Sequence, residues 1–255
     1  MADRPSLGML DAEQLAALRP RVVAHRGRHA GYPEQTLSSL ARLPGWVRAV
    51  EVDVRLSADG VPVLMHDAHV DRTTDGHGAV ADLRADEIAG LTLLPAERVP
   101  TLATYLRACA ARRVDVVYLH LKVTTRKAVE AVVADVRRHG MEARTVLLFR
   151  QVEKALRAQA CAPELRLGLL GTTGENLDER LRLARAGTLW LLLMPRGDDR
   201  YLSHRDVVAA VRAAGVRAGA STLRGADAHQ AALDDDCEVV ITDSVHLIDG
   251  GGGWA

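Results

Sequence analysis

The stretch AVEVDVRLSADGVPVLMHD, residues 49–67, holds two apolar runs that are separated by the turn residues Asp59 and Gly60. Two parallel strands need a crossover of about a dozen or more residues, and the turn between these runs is far shorter. The stretch therefore predicts a strand that continues into a β-hairpin, whose second arm returns antiparallel to the first.

Beyond this stretch, short apolar runs alternate with longer amphipathic segments, which is typical of parallel strands joined by helices. The strand-like runs are VVAHRG (22–27), AVEVDV (49–54), VVYLHLK (116–122), TVLLFR (145–150), LRLGLL (165–170), TLWLLLM (188–194), VRAGAST (216–222) and EVVITD (238–243). Their number and apolar character predict an α/β fold, a TIM-type (β/α)8 barrel with a short hairpin excursion after strand 2. An open doubly wound sheet is the alternative, because periodicity alone does not show whether a sheet closes.

Two of the intervening helices have clear boundary signals. Residues 125–139 end in a basic turn before Gly140, which predicts a helix end. Ser203 and Asp206 form a capping-box pattern before VVAAVRAAG, which predicts a helix start.

The size of the chain fits one barrel domain, at 255 residues and 27.5 kDa with 48% hydrophobic residues. We expect a single domain over residues 1–255 with its core at about 20–248. Residues 1–19 are expected to form an N-terminal helical segment, and the glycine-rich residues 249–255 a flexible tail.

The charge balance argues against nucleic acid as a partner, and the lack of targeting signals argues against a membrane, which leaves small molecules as the expected partners. Lys plus Arg and Asp plus Glu each number 33, and no basic run would follow a nucleic-acid backbone. The three cysteines are widely spaced, which fits a reducing compartment. The N-terminus lacks a secretory pattern, and the longest apolar run is far shorter than the ~20 residues of a membrane span. We therefore expect a cytoplasmic protein without a transmembrane segment.

Glu51 and Asp53 alternate along one predicted strand, so their side chains point to the same side. An isolated pair of this kind is usually a solvent-facing pair at a sheet edge. Here the neighbours Val50, Val52 and Val54 predict a buried strand, and burying bare carboxylates costs several kcal/mol unless they are paired or bind a cation. The pair is therefore predicted to bind a divalent metal ion.

His25 and His66 each end an apolar run, which places them at the C-terminal mouth of the predicted barrel. Imidazole titrates near neutral pH, so two histidines at one mouth can share the roles of general acid and general base. Arg26 and Lys122 are candidates for binding the oxygens of an anionic substrate. The alternative for a lone histidine or arginine is a structural or surface role.

Five motifs occur in order: AHRG (24–27), PEQT (33–36), EVDVRLSADG (51–60), VLMHD (63–67) and DRTTDGHG (71–78). This ordered set resembles the glycerophosphodiester phosphodiesterase family, whose pattern is HRG, PENT, E-x-D with a D-G turn, HD and RTT. The resemblance implies metal-dependent hydrolysis of a glycerophosphodiester or a lyso-phospholipid-like substrate. It also implies that His25 and His66 are the acid/base pair, that Glu51 and Asp53 bind the metal, and that Arg26 and Lys122 bind phosphate.

The chain departs from the family pattern at the third metal ligand. The family has the glutamate of an E-x-K strand there, and LHLK places His120 at that position. We predict a Glu51, Asp53 and His120 ligand set for one divalent ion. Carboxylates suit Mg, Ca or Mn, and the imidazole shifts preference towards Mn, Fe, Co or Zn. The alternative is that His120 binds nothing.

The segment expected to form the wall of the substrate cleft also departs from the family pattern. The family's W-T-x-N segment corresponds to STLR here, with Ser221 and Arg224 in the Trp and Asn places. Arg224 is therefore predicted to contact a more acidic substrate group. Gln35 replaces the Asn of PENT, and the short stretch between RTT and VPTL leaves no room for a large inserted cap.

Two other functions remain open from the sequence. One is a phospholipase D or a lyase that forms a cyclic phosphate on the same scaffold. The other, of a different class, is a barrel that binds a phosphorylated metabolite without turnover.

Overall fold

The computed structural model describes residues 10–28, 31–93, 96–187, 189–195 and 204–248. Its strands are β1 Val22–Ala24, β2 Ala49–Leu56, β3 Pro62–Leu64, β4 Thr92–Leu93, β5 Glu97–Arg98, β6 Val116–Leu121, β7 Thr145–Phe149, β8 Arg166–Leu170, β9 Leu191–Pro195, β10 Arg217–Leu223 and β11 Val239–Thr242. Its α-helices are α1 Ala12–Leu18, α2 Leu37–Arg42, α3 Ala85–Gly90, α4 Leu102–Ala111, α5 Arg126–Arg138, α6 Val152–Cys161, α7 Leu177–Arg185, α8 Arg205–Ala213, α9 Gly225–Asp234 and α10 Val245–Ile248.

Eight parallel strands form a closed ring. Their order is β1, β2, β6, β7, β8, β9, β10 and β11, and β11 pairs again with β1. The closing pairs align Ala24 with Val50 and Val22 with Val240. A helix follows each of the eight strands before the next one begins. The predicted TIM-type barrel is confirmed, and the open sheet is excluded.

The hairpin after strand 2 is also confirmed. β3 pairs antiparallel with β2, with Val54 opposite Leu64. At the turn, Ser57 N–H donates to the Val61 carbonyl at 3.0 Å. Gly60 adopts a φ of +83°, a conformation that glycine reaches without strain. Between β3 and α4, the described residues form only α3 and the short strands β4 and β5, so no large cap is inserted.

The predicted helix boundaries hold where they can be compared. α5 lies within one residue of each predicted end, and the Thr125 side chain caps it by accepting from Ala128 N–H at 3.3 Å. α8 begins at Arg205 after His204, whereas Ser203 of the predicted capping box lies outside the described residues. The predicted N-terminal helical segment contains α1. The tail at 249–255 lies outside the described part.

Side chains alternate between the inside and the outside of the ring. Val50, Val52 and Val54 of β2 belong to the large core between strands and helices. A smaller core inside the barrel includes Tyr118 and Leu148. Since Glu51 and Asp53 alternate with the valines, they must point inward. Among the described helices, none is long and apolar enough to cross a membrane.

Gly219 of β10 gives a test of the ring's packing. A Cβ added there would lie 2.5 Å from the Val239 carbonyl oxygen of the next strand. Because backbone cannot move aside cheaply, Gly219→Ala is expected to lower the free energy of unfolding by about 1–3 kcal/mol in urea denaturation. Gly45→Ala is the control, since a Cβ at Gly45 meets nothing within 4 Å. Equal unfolding midpoints for the two variants would contradict this packing.

Candidate active site

A cleft of about 360 Å³ opens at the C-terminal mouth of the barrel. All eight predicted site residues line it. The lining residues are His25, Arg26, Glu51, Asp53, His66, His120, Lys122, Arg150, Leu170, Gly171, Ser221, Thr222, Arg224 and Ile241. The cleft therefore collects residues from the ends of several strands, as expected for this fold.

The predicted metal ligands come together because of strand register. β2 and β6 are neighbours, and Asp53 stands directly opposite His120. One potential ligand atom from each of Glu51, Asp53 and His120 lies within 4.8 Å of the other two. The His120 Nδ1 atom is 3.2 Å from Asp53 Oδ1 and 3.9 Å from Glu51 Oε1. All three residues are buried.

The electrostatics of this group fit a divalent cation. Burial, together with the charge of Asp53, raises the pKa of Glu51 to about 7. Burial also acts to raise the pKa of Asp53, but hydrogen bonding from His120 and the charge of Lys122 hold it below its usual range. Burial lowers the pKa of His120, which keeps its imidazole neutral and able to donate a lone pair. Two carboxylates and a neutral imidazole are a suitable ligand set for one dication.

Lys122 lies against the same ligand atoms. Its Nζ lies 2.8 Å from Asp53 Oδ1 and 3.1 Å from His120 Nδ1. The ammonium group thus compensates part of the buried negative charge. A metal ion that uses these two atoms would compete with Lys122 and release its ammonium towards the cleft.

Gln35 supports the carboxylates from behind, a role that sequence reasoning missed. This buried amide accepts from Asp53 N–H at 2.8 Å and donates through Nε2 to Asp53 Oδ2 at 3.3 Å. Its own N–H donates to the Arg26 carbonyl at 2.7 Å. Gln35 and Arg26 have φ values of 60° and 54°, in the left-handed region that costs a non-glycine residue about 1 kcal/mol or more. The PEQT motif was the sequence signal for this loop.

His25 is held by Asp243, the second residue that sequence reasoning missed as a site residue. The His25 Nδ1 atom lies 2.6 Å from Asp243 Oδ1, and its Nε2 lies 3.8 Å from Glu51 Oε2. Burial acts to lower the pKa of His25, but the Asp243 hydrogen bond and the Glu51 charge raise it above its ordinary value. Asp243 ends the VVITD run at the same edge as His25, which is the signal that could have identified it.

His66 has its own carboxylate partner. Its Nδ1 atom lies 2.6 Å from Asp67 Oδ1. The Arg55 guanidinium holds the His66 carbonyl with bonds of 3.1 and 2.8 Å. Burial lowers the pKa of His66, the opposite direction from His25. The two imidazoles are therefore biased towards different protonation states.

The predicted phosphate-binding and wall residues differ in their contacts. Arg26 donates its backbone N–H to Glu51 Oε2 at 3.1 Å, and its guanidinium pairs with Glu34 at 2.8 Å. Arg224 is largely exposed and pairs with Asp243 at 2.7 Å. Ser221, which stands where the family pattern has Trp, lines the cleft. No Phe, Tyr or Trp side chain belongs to the described part of the cleft wall.

A comparison with family models matches residues 25–247 to the glycerophosphoryl diester phosphodiesterase family. The chain belongs to this family. Glycerophosphodiester phosphodiesterase 1 of Rattus norvegicus is 36% identical over 118 residues, which are 41% of this chain and 36% of that protein. The chain thus spans little more than a third of the length of this mammalian relative. The glycerophosphodiester phosphodiesterase of Caldanaerobacter subterraneus is 29% identical over 62% of this chain and 69% of its own.

Solved structures agree with the fold. A glycerophosphodiester phosphodiesterase from Agrobacterium tumefaciens is 27% identical, with a TM-score of 0.74 over 89% of this chain and 98% of its own. An Oleispira antarctica phosphodiesterase, solved with the product sn-glycerol-3-phosphate, is 24% identical, with a TM-score of 0.80 over 92% and 98% of the two chains.

His120 gives a direct test of the metal site. His120→Ala is expected to weaken divalent-ion binding more than about 10-fold, because even partners outside the ligand shell contribute that much. His120→Glu is expected to restore binding and shift preference from Zn or Co towards Mg or Ca. Isothermal titration with each ion measures both effects.

His77→Ala is the control for this titration, because His77 is exposed and bonds Asp71 instead. Unchanged affinity in His120→Ala would show that His120 is not a ligand.

Proposed function

We propose that this chain is a metal-dependent phosphodiesterase that hydrolyses a glycerophosphodiester or a lyso-phospholipid-like diester. The observation that carries the proposal is two imidazoles, His25 and His66, each bonded to a carboxylate and both lining the cleft of the Glu51, Asp53 and His120 group. Family membership and the names of the relatives support the same reaction.

We infer that Glu51, Asp53 and His120 hold one divalent ion, with Mg, Ca or Mn suited by the carboxylates and Mn, Fe, Co or Zn by the imidazole. When bound, such an ion polarises the phosphate and activates the attacking oxygen. Arg26 and Lys122 bind the non-bridging phosphate oxygens. Four cations and two carboxylates line the cleft, which suits an anionic substrate.

The two histidines have different roles in this proposal. His25 has the raised pKa and acts as the general acid that protonates the departing alkoxide. His66 has the lowered pKa and acts as the general base that takes a proton from the attacking oxygen. Asp243 and Asp67 orient the rings through Nδ1 and leave Nε2 for the reaction.

The proposed setting is the cytoplasm, within a single barrel domain whose core spans about residues 20–248. The family match over residues 25–247 supports this core. The three cysteines are free thiols, which fits a reducing compartment.

Removing either imidazole tests the catalytic assignment. His25→Ala and His66→Ala are each expected to lower turnover of a glycerophosphodiester at least about 100-fold. Near-normal turnover in either variant would contradict its role. His69→Ala serves as the control, because His69 does not line the cleft.

Phosphorus NMR of the same reaction separates the alternative functions. A cyclic phosphate product would favour the lyase. Metal binding without any turnover would favour the non-catalytic barrel.

The pH profile of kcat/KM tests the division of roles. In this proposal His66 must be neutral and His25 must be protonated. The acidic limb of the profile is therefore expected at a pH below the ordinary imidazole pKa of 6.5, and the alkaline limb at a pH above it. Asp243→Asn weakens the bond that raises the pKa of His25, so the alkaline limb should move to lower pH. Asp115→Asn is the control, since this exposed residue pairs with Arg48 instead. An alkaline limb that does not move in Asp243→Asn would contradict the assignment of His25.

A further inference from the structure

A second cleft of about 210 Å³ adjoins the first one and shares His120, Lys122 and Arg150 with it. Its other lining residues are Leu121, Thr124, Phe149, Gln151 and Lys154. No carboxylate lines this second cleft within the described chain, and three cations do. The positive charge of the active-site mouth thus extends sideways, past the end of β7 and onto the first turn of α6.

Two of these cations form no ion pair within the described part of the chain. Lys122 is committed to Asp53 at 2.8 Å. By contrast, neither Arg150 nor Lys154 forms an ion pair with any described residue. Surface arginines elsewhere in the chain commonly pair, as Arg137 does with Glu164 at 2.6 Å. Arg150 and Lys154 therefore offer two free cationic groups at the wall of one cleft.

A further cation, Arg180, lies beneath Arg150. Arg180 of α7 is only 5% exposed. It donates to the Leu170 carbonyl at 3.0 Å, to Thr172 Oγ1 at 2.8 Å and to the Arg150 carbonyl at 3.4 Å. Its bond to the Arg150 carbonyl fixes the backbone that carries Arg150.

We propose that Arg150 and Lys154 bind a second oxyanion, a carboxylate or a phosphomonoester, on the alcohol moiety of the substrate. The scissile diester then lies over Glu51, Asp53 and His120, and the second anion enters the adjoining cleft. This inference rests on the proposed function and names its substrate class. A quaternary ammonium group is disfavoured, because in this cleft it would meet cations of its own sign.

Matched substrates test this subsite. Glycerophosphoserine and glycerophosphoethanolamine differ by one carboxylate, and glycerophosphoinositol 4-phosphate and glycerophosphoinositol differ by one phosphomonoester. In at least one pair, kcat/KM is expected to be about 10-fold or more higher for the more anionic member, mainly through KM. The pair with the larger ratio identifies the oxyanion. Equal values within both pairs would overturn the subsite, while turnover itself would leave the proposed function intact.

Charge-removing variants assign the effect to these residues. In Arg150→Gln/Lys154→Gln the ratio is expected to fall towards one. Arg157→Gln is the matched control, because Arg157 is an exposed cation on α6 that lines neither cleft, and it should keep the ratio. An unchanged ratio in the double variant would place the preference elsewhere and overturn the proposal.

A binding experiment keeps the test independent of turnover. If no diester is hydrolysed, the proposed function fails, and calorimetry in EDTA then compares O-phosphoserine with phosphoethanolamine and inositol 1,4-bisphosphate with inositol 1-phosphate. The wild type is expected to bind the more anionic member about 10-fold or more tightly in at least one pair, and the double variant to lose that difference. Equal affinities within both pairs in the wild type, or a difference kept by the double variant, would overturn the subsite.

Discussion

Two carboxylates held side by side inside the barrel are the constraint on which the rest of the site depends. Glu51 and Asp53 are only 3% and 1% exposed, so most of their hydration is lost there. Like charges at such a place need donors, cations or a proton. The backbone N–H of Arg26, the amide of Gln35, the imidazole of His120 and the ammonium of Lys122 all supply this compensation. The strained loop around Arg26 and Gln35 places the Arg26 N–H and the Gln35 amide within hydrogen-bond distance of these carboxylates.

The sequence predicted the architecture because its signals are local and repeated. Alternation along β2 set the inward direction of Glu51 and Asp53, and a turn too short for a crossover set the hairpin that carries His66. Closure of the ring was the part that periodicity left open. It depends on the pairing of β1 with both β2 and β11, a contact between distant parts of the chain.

The missed residues share a physical cause. Asp243 and Gln35 act on other side chains rather than on a substrate, and their partners are more than 200 and 18 positions away in the chain, respectively. The local pattern places Asp243 at a strand end and Gln35 in a loop, but it does not show which distant side chains they meet. The position of Arg180 beneath Arg150 was hidden for the same reason, since its bonds go to backbone carbonyls that only the folded barrel brings near. All eight predicted site residues do line one cleft, because they lie on or just after strands at one mouth of the barrel.

The contact of Lys122 with Asp53 and His120 has a consequence for assembly of the holoprotein. A site that relied on a metal ion alone would leave its buried carboxylates uncompensated until that ion arrived, and folding would then depend on metal supply. An internal ammonium removes this dependence, so the barrel could close before an ion is bound. An ion that used the same atoms would have to displace a bonded lysine, which would lower its net affinity. The displaced lysine would return to the cleft in a charged form, next to the place where the phosphate is expected to bind.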